Sequence, residues 1–454
     1  MSKPTDIRIR DLRTSYEHYD YRTPIKFGGV AVSEVTVLNV ECEVVSRDGR
    51  VARGFGSMPL ANTWSFPSRE LTFEQTHEAM KALSERLAQV CRSFDECGHP
   101  IELGLELEEH FLKAAEEVSR ARQLSQPIPK LCTLVCGSAF DAALHDAFGK
   151  LLGRNCYHTY SGEFMNRDLG AWLGAEFAGE YPDAYVRREP QQRMPLYHLV
   201  GALDPLDDGE LTQPVGDGLP ETLPQWIHDN GLTHLKIKLN GDDLAWDLER
   251  ILKVDRVTTA VQQERGVTVW HYSLDFNERC ESVDYLVEMM RKLREASPAG
   301  FVRVQYIEQP TARDLKAHPE NKMHEAAKLK PVVIDESLTD LEALMLARDL
   351  GYTGAALKAC KGQSQSLLMA AAAQKMGLFL CVQDLSCPGA SLIHSAGIAA
   401  HVPGVAAIES NSRQYCPAAN DGWRERFPGI FQVRDGSMDT SCLNGPGLGA
   451  VQPG

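Results

Sequence analysis

The sequence predicts an α/β protein in which a (β/α)₈ barrel of the TIM type follows an α+β region. Eight short apolar runs alternate with helical patterns over roughly 220 residues, which is the size of such a barrel. Three runs end in a carboxylate, at Asp275, Glu308 and Asp335, and spacings of 33 and 27 residues leave room for one helix between strands. An alternating segment with turn signals and three helical patterns precede the barrel.

A small antiparallel sheet is predicted first. Residues 35–45 and 51–56 alternate apolar and polar positions around the turn pair Asp48-Gly49, which indicates a β-hairpin. Two segments beside it, Tyr16 to Gly29 and Met58 to Ser68, are predicted to be loops, because both contain turn residues and aromatic residues. Each is either solvated surface or a lid over a substrate.

Three helices should follow the sheet. A capping-box-like pattern at Thr72 opens the first, and helical periods at residues 106–121 and 138–152 indicate the other two. Alanines at every fourth position of the third helix favour close packing over chemistry.

The barrel strands are predicted from runs rich in β-branched and aliphatic residues. They are residues 196–201, 234–239, 267–274, 302–307, 331–334, 355–357, 378–382 and 405–408. Helical patterns between them include residues 244–254, 283–293, 341–350 and 364–376. Residues 157–194 are irregular, and the proline- and acid-containing residues 205–222 indicate a loop insertion after the first strand.

The composition is that of an ordinary soluble globular protein, 43% hydrophobic and 24% charged. A formal net charge of −15 argues against nucleic acid as a partner. The N-terminus lacks the apolar core of a signal peptide and no apolar run is long enough for a membrane span, so we expect a cytoplasmic protein without a membrane partner. The twelve cysteines contain no Cys-x-x-Cys pair and are expected to be buried free thiols.

The three strand-end carboxylates should converge on one face of the barrel. There they would repel one another strongly unless a hard divalent cation lay between them. An all-oxygen ligand set favours Mg²⁺, with Mn²⁺ possible, over zinc. Taken singly, each acid is better explained as a helix cap or a surface group, whereas three on successive strand ends favour the metal site.

Lysines are predicted on two opposite barrel strands. In the second strand, alternation places Lys236 and Lys238 on one face, where two ammonium groups side by side lower each other's pKa. A lysine tuned in this way is a competent general base. Lys358 ends the sixth strand, across the barrel axis. The alternatives are an edge strand with solvent-facing lysines and, for Lys358, an ion pair with one of the acids.

The series Lys-x-Lys, Asp-x-Asn, Glu-x-Pro, Asp-Glu-Ser and sixth-strand Lys resembles the enolase superfamily, in particular its muconate cycloisomerase-like (mandelate racemase/muconate lactonizing enzyme) subgroup. That superfamily uses a Lys or His base with Mg²⁺ to stabilise an enediolate. The resemblance covers nearly the whole chain and implies a modified barrel with a capping domain. Its implied domains are an α+β capping domain at 1–156, the barrel with metal and lysine bases at 157–411, and a C-terminal segment at 412–454 that returns to the capping domain.

The resemblance also implies roles for individual residues. The expected magnesium ligands are Asp275, Glu308 and Asp335. Lys238 matches the base, with Lys236 as the neighbour that lowers its pKa, and Lys358 matches the second acid or base.

Further positions match the surroundings of that site. Asn277 and Glu336 correspond to a supporting shell that orients ligands or pairs with a lysine. Asp384 stands where relatives often carry a glutamate near the substrate carboxylate. Arg22 and Lys26 are candidates for contact with a distal anionic group of the substrate.

Three features depart from the superfamily pattern, and one of them is the insertion around residues 160–222. Gly362-Gln363 replaces the usual Gly-Gly, and the eighth strand end lacks the Asp-x-Asp of dipeptide epimerases. The seventh strand ends in Gln383-Asp384, not in the His of acid-sugar dehydratases, and His394 falls in the next helix.

The expected function is therefore Mg²⁺-dependent abstraction of the α-proton of a small-molecule carboxylate through an enediolate. Racemisation or epimerisation and cycloisomerisation are the expected outcomes. The alternatives are an acid-sugar dehydratase, which works by β-elimination, and a catalytically silent metal-binding barrel. A homo-oligomer is expected.

Overall fold

The computed structural model describes residues 2–27 and 29–449. Its first part, called the cap here, has a three-stranded antiparallel sheet in the order β1-β2-β3 and four helices. The strands are β1 Ile7–Phe27, β2 Val30–Ser46 and β3 Val51–Pro59, and the helices are α1 Asn62–Ser65, α2 Phe73–Ser93, α3 Pro100–Ala121 and α4 Lys130–Leu152. The predicted hairpin is confirmed, with Gly49 at a φ of 87° in its turn.

The prediction of a loop from Tyr16 onward is wrong. Strand β1 continues to Phe27, which pairs with Val30 of β2. The register shifts between Asp20 and Ile25, so the alternation of apolar residues breaks there, and this break made the segment resemble a loop. Gly28, within the same predicted loop, lies outside the described residues.

The predicted helices of the cap are confirmed, although two begin earlier than expected. At the start of α2, Thr72 and Gln75 form the capping box. Helix α3 begins at Pro100, behind a second capping box made by His99 and Glu102, and α4 begins at Lys130. The alanines of α4 do pack closely: a Cβ on Gly54 of β3 would lie 2.1 Å from the carbonyl oxygen of Ala143.

Eight parallel strands form the predicted closed barrel. They are β4 Arg193–Val200, β5 His234–Lys238, β6 His271–Asp275, β7 Val304–Glu308, β8 Val332–Ile334, β9 Gly354–Leu357, β10 Phe379–Val382 and β11 Val405–Glu409. Each pairs with the next in sequence, and β11 pairs with β4 through Ile408 and Leu196 to close the barrel. Parallel closure directs all eight carboxyl ends to one face, which fixes where a site can form.

Helices cover the outside of the barrel, and the four predicted ones are confirmed. Short α5 Gly170–Leu173 precedes the barrel, and the connecting helices are α6 Leu223–Asn230, α7 Leu244–Glu264, α8 Val283–Ala296, α9 Pro298–Arg303, α10 His324–Ala327, α11 Leu341–Asp349, α12 Gln363–Lys375 and α13 Gly389–His401. Residues 201–222, all described by the structure, contain neither helix nor strand, as predicted for the insertion.

The C-terminal segment contacts both the barrel and the cap. It contains α14 Ser412–Tyr415, α15 Trp423–Arg426, α16 Pro428–Phe431 and β12 Ser437–Asp439. Strand β12 pairs antiparallel with β4. Beyond it, the backbone N–H of Leu448 donates to Asp146 of α4 at 3.0 Å, so the segment does reach the cap.

All twelve cysteines lie among the described residues and are free, and ten of them are buried. Within residues 2–27 and 29–449, no helix has both the length and the apolar character needed to cross a membrane.

Candidate active site

The predicted carboxylates lie side by side at the carboxyl-end face of the barrel. Asp275 and Glu308 are the last residues of β6 and β7 and are paired in register, and Asp335 directly follows β8. Each is 1% exposed. Three buried acids on successive strands concentrate negative charge that needs compensation.

Lys236 provides part of that compensation. Its ammonium nitrogen, Nζ, lies 2.7 Å from Glu308 Oε1, 2.9 Å from Glu409 Oε2 and 3.0 Å from Asp275 Oδ2. The same nitrogen donates to Gln383 Oε1 at 2.7 Å. Lys236 therefore connects strand ends on both sides of the barrel.

The expectation that the paired lysines lower each other's pKa is wrong for Lys236. Burial acts to lower its pKa, but the charges of Asp275 and Glu308 outweigh burial and hold the pKa well above its usual range. The surrounding acids, which strand alternation alone does not reveal, decide the direction.

Glu308 fits a metal ligand best among the three acids. Burial raises its pKa well above the ordinary value; Lys236 opposes this rise, and Asp275 and Asp335 add to it. Its Oε2 is buried and has no hydrogen-bond partner among the described residues. An unpartnered carboxylate oxygen within an all-oxygen donor set suits a hard divalent cation such as Mg²⁺.

The three acids do not bring three carboxylate oxygens within 4.8 Å of one another, and Lys236 Nζ contacts the carboxylates of both Asp275 and Glu308. Among the described residues, only His18, Asp20 and Glu34 bring three possible ligand atoms within 4.8 Å of one another. That group lies on the surface of the cap sheet, away from the barrel acids.

Two lysines share the carboxylate of Asp335. Lys358 Nζ lies 2.8 Å from Oδ2, whereas Lys361 Nζ lies 3.2 Å from Oδ1 and donates to the Asp335 backbone oxygen at 2.5 Å. Burial acts against both ammonium groups. The pKa of Lys361 is lowered as a result, but Asp335 outweighs burial at Lys358 and raises the pKa of Lys358.

Lys238 lies on the opposite side of the barrel from Lys358, since β5 and β9 are four strands apart in a closed sheet of eight. Its Nζ donates to Asp275 Oδ2. The cap places an aromatic ring over each of these lysines: Phe27 lies 5.7 Å from Lys238 Nζ, and Trp64 lies 4.1 Å from Lys358 Nζ. Both lysines are thus shielded from water and close to carboxylates.

Backbone strain is concentrated at this face. Of the six described non-glycine residues with positive φ, four follow the ends of β6, β7 and β10: Asn277 (46°), Glu278 (59°), Gln309 (29°) and Ser386 (53°). The side-chain oxygen Oε1 of Gln309 accepts a hydrogen bond from the backbone N–H of Asp335 at 3.0 Å. Strain of this kind is typical of functional sites held by surrounding structure.

The expected supporting residues contact the acids in different ways. The backbone N–H of Asn277 donates to Asp275 Oδ1 at 2.9 Å. Glu336 accepts from Trp64 Nε1 at 2.9 Å, while its Oε2 has no partner among the described residues. Burial and the nearby charge of Asp335 raise the pKa of Glu336 to about 7.

Asp384 is occupied by backbone contacts. Its carboxylate accepts from the N–H groups of Leu385 at 2.7 Å, Cys387 at 2.8 Å and Asn411 at 3.0 Å, which joins the ends of β10 and β11. Burial and the charge of Glu409 raise its pKa to about 6. The side chain therefore holds the rim together.

Arg22 and Lys26 are not brought into the group of acids and lysines. Arg22 Nε lies 2.5 Å from Asp217 Oδ2, beside a separate cavity of about 220 Å³. Lys26 Nζ approaches Asn240 Oδ1 at 3.5 Å.

A cavity of about 610 Å³ opens between the cap and the barrel face. The segment from Asn62 to Phe73 forms its cap side, and Asn277 and Glu336 lie on its barrel side. The segment Met58 to Ser68 is not the continuous loop that was predicted, because it begins with the last two residues of β3 and contains α1. From Asn62 onward it lines this cavity. Gln363, where Gly-Gly was expected, is absent from the lining of this cavity and donates to Tyr157, just after the cap, at 3.0 Å.

Sequence reasoning missed four contributors to the site: Lys361, Gln383, Glu409 and Trp64. Glu409 ends an apolar run as the three predicted acids do, and that signal was available. Trp64 lies in the segment that was predicted to be a surface loop or a lid, but its contact with Glu336 gave no signal because the two residues are 272 positions apart.

A family model described as "Enolase C-terminal domain-like" matches residues 219–451, half of the chain. This chain belongs to the enolase superfamily. The match runs from just before α6 through the barrel into the C-terminal segment, and thus includes all three acids and the lysines. It confirms the predicted muconate lactonizing enzyme-like subgroup, and the superfamily consists of enzymes.

Solved structures of the superfamily share the whole fold. A muconate lactonizing enzyme from Pseudomonas fluorescens is 16% identical, with 98% of this chain and 97% of that chain covered and a TM-score of 0.59. An N-succinyl Arg/Lys racemase from Bacillus cereus ATCC 14579 is 15% identical, with 97% and 95% covered and a TM-score of 0.61. A dipeptide epimerase from Enterococcus faecalis V583, complexed with Mg and L-Leu-L-Tyr, is 13% identical, with 97% and 99% covered and a TM-score of 0.60.

At these identities the likeness shows the fold alone. A search of curated proteins gave no match to this sequence.

Proposed function

We propose that this enolase-superfamily enzyme removes the α-proton of a carboxylate substrate and returns a proton to the opposite face of the same carbon. The net reaction is racemisation or epimerisation. The observation that carries the proposal is the placement of Lys238 and Lys358 on opposite sides of the barrel, each buried beside one of the acids.

The residues that would hold a divalent cation are Asp275, Glu308 and Asp335. Mg²⁺, or Mn²⁺, would supply positive charge that offsets the negative charge developing on the substrate carboxylate when the neighbouring carbon loses its proton. The unpartnered Glu308 Oε2 supports this assignment.

The lysines perform the proton transfers. The neutral Nζ of one lysine takes the proton from the α-carbon, and the electron pair of that C–H bond moves into the carboxylate to give an enediolate. The ammonium of the other lysine then donates a proton to the opposite face, forming a new C–H bond without oxidation or reduction. Contacts with Asp275 and Asp335 orient the two lysine side chains for these steps.

The cavity supports a substrate larger than a simple hydroxy acid. The cavity of about 610 Å³ beside Asn277 and Glu336 has aromatic walls that include Phe27, Trp64 and Phe66. Dipeptides and N-acyl amino acids, which carry a bulky group next to the α-carbon, suit this space.

Two alternatives have less support. A dehydratase of the superfamily's acid-sugar type would use a histidine at the end of β10, but that end carries Gln383, and His394 is buried within α13. A silent barrel would keep four buried lysines at one face without a purpose, at a high desolvation cost. Cycloisomerisation differs from racemisation only in the step that follows the first proton transfer.

The test is an NMR assay of α-deuterium incorporation in ²H₂O with Mg²⁺. Dipeptides, N-acyl amino acids and hydroxy acids of both hands are the substrates. Lys238→Ala and Lys358→Ala should each slow exchange of one hand by about 10²- to 10⁴-fold, the usual contribution of a general base. The exposed Lys316→Ala serves as the matched control and should leave both hands unchanged.

Undiminished exchange in both lysine variants would exclude these two bases. Exchange accompanied by a dehydrated product, without inversion, would replace racemisation with elimination.

A further inference from the structure

We infer that Asp141, on helix α4 of the cap, is a positioning residue for Lys358. The inference rests on the proposed function, because Lys358 matters only if it transfers protons. Asp141 lies outside the group of acids and lysines, and its influence would pass through the first turn of α12.

Helix α12 lacks an N-cap side chain of its own. Its N-cap residue is Gly362, which has a φ of 102° and makes no side-chain cap bond. The first backbone N–H groups of a helix need acceptors, normally from a Ser, Thr, Asp or Asn at the N-cap. This helix therefore needs an acceptor from elsewhere.

Asp141 supplies it from the cap. Its Oδ2 accepts from the backbone N–H of Ser364 at 2.8 Å, and its Oδ1 accepts from the Ser364 hydroxyl at 2.7 Å. Ser364 is the second residue of α12, the position that an ordinary N-cap side chain serves. The negative charge at this end also favours the helix dipole.

The surrounding residues are shaped for this contact. A Cβ on Gly104 of α3 would lie 2.5 Å from Asp141 Oδ1, so the absence of a side chain there leaves room for the carboxylate. His145 Nε2 lies 2.9 Å from the Ser364 hydroxyl, and Tyr160 holds His145 Nδ1 at 2.9 Å. Asp141 is only 8% exposed.

The first turn of α12 in turn holds the backbone of Lys358. Ser366 Oγ donates to the Lys358 carbonyl at 2.8 Å, and the backbone N–H of Lys361 reaches the same carbonyl at 3.0 Å. A shift of this turn therefore moves the point from which the Lys358 side chain extends. A displacement of about 1 Å can cost on the order of 10²-fold in rate.

The turn after Lys238 is held differently. Asp247 of α7, within the barrel itself, accepts from the backbone N–H groups of Asn240 at 2.7 Å and Gly241 at 2.9 Å. Removing Asp141 should thus affect one lysine and spare the other. A purely structural role would not produce that asymmetry.

The experiment compares wild type, Asp141→Ala, Asp141→Asn and Ser297→Ala. Ser297 caps α9 by accepting from Gly300 N–H at 3.0 Å, in the connection that leads into β7, and controls for the general cost of a lost cap. Two quantities are measured: backbone amide exchange of residues 358–366 by mass spectrometry, and α-deuterium incorporation into each hand of the substrate.

In Asp141→Ala, amide exchange of residues 358–366 should speed up by about 10-fold, as expected for a lost helix cap. α-Deuterium incorporation into the hand of the substrate that depends on Lys358 should slow at least 10-fold, and incorporation into the other hand should be unchanged. Asp141→Asn keeps an acceptor and should recover most of both effects. Ser297→Ala should change neither the turn nor the ratio of the two hands.

Unchanged amide exchange at residues 358–366, or equal slowing of both hands, would overturn the inference. Faster amide exchange of residues 358–366 in Asp141→Ala, together with no α-deuterium incorporation into either hand by the wild type, would support the Asp141 contact and overturn the proposed function.

Discussion

Replacing Glu308 by Gln tests the proposed role of this residue as a metal ligand separately from its contribution to the fold. The two side chains have nearly the same shape, so the packing of a residue that is 1% exposed is kept. The substitution removes one negative charge and leaves an oxygen that accepts from Lys236.

In the absence of metal, two effects of opposite sign act on the free energy of unfolding. The 2.7 Å contact from Lys236 to Glu308 changes from an ion pair to a hydrogen bond between an ammonium and a neutral amide oxygen, which costs about 1 kcal/mol. The variant also replaces a buried carboxylate that has an unpartnered oxygen by a neutral amide. The smaller desolvation cost is worth about 1–3 kcal/mol. Metal-free stability should therefore change by no more than about 2 kcal/mol, in the stabilising direction.

The effect of Mg²⁺ should differ clearly. At a concentration 100 times the wild-type Kd, a bound ligand adds about 2.7 kcal/mol to the free energy of unfolding. If the loss of one anionic ligand weakens binding about 100-fold, the same concentration adds only about 0.4 kcal/mol to the variant.

Urea unfolding with EDTA or with Mg²⁺ measures both quantities, after calorimetry has given the wild-type Kd. Glu116→Gln, on the exposed face of α3, is the matched control and should keep the full gain. If Mg²⁺ stabilises Glu308→Gln as much as wild type, Glu308 is not a ligand.

Two further predictions concern the rim of the barrel. Trp64→Phe removes the 2.9 Å bond to Glu336 and leaves that carboxylate without its one described donor. The free energy of unfolding, measured in urea, should therefore fall by about 1–3 kcal/mol. An unchanged free energy of unfolding would contradict this contact. The raised pKa of Asp384, about 6 against an ordinary 3.8, means that the folded state holds this proton more tightly. Its contribution is fully present below about pH 4 and is lost as the pH rises through 6, about 3 kcal/mol in all. Unfolding of wild type and Asp384→Asn between pH 4 and 7.5 should show a steeper fall for wild type, and parallel curves would exclude Asp384 as the source.

The sequence predicted the barrel because its signals are local. A strand that ends at Asp275 or Glu308 is visible from a few residues, and repetition of that pattern predicts parallel strands with their ends together. The position of each acid on one face follows directly from that topology.

What could not be predicted depends on contacts between distant segments. The cation–π contact of Lys358 with Trp64 and the hydrogen bond from Ser364 to Asp141 form only when the cap packs onto the barrel. The pKa of Lys236 depends on four strands at once. The course of β1 past Asp20 was hidden by a register shift, which breaks the alternation from which strands are recognised.

The long hairpin of the cap has an evolutionary consequence. Beyond the part paired with β3, strands β1 and β2 continue as a two-stranded ribbon that carries Phe27 to the mouth of the barrel. Residues could be added or removed in pairs at its tip without disturbing a barrel strand, since only the ribbon's own ladder would lengthen. Insertions or deletions at this tip would therefore alter the residues at the mouth of the barrel and leave the acids and lysines beneath it the same.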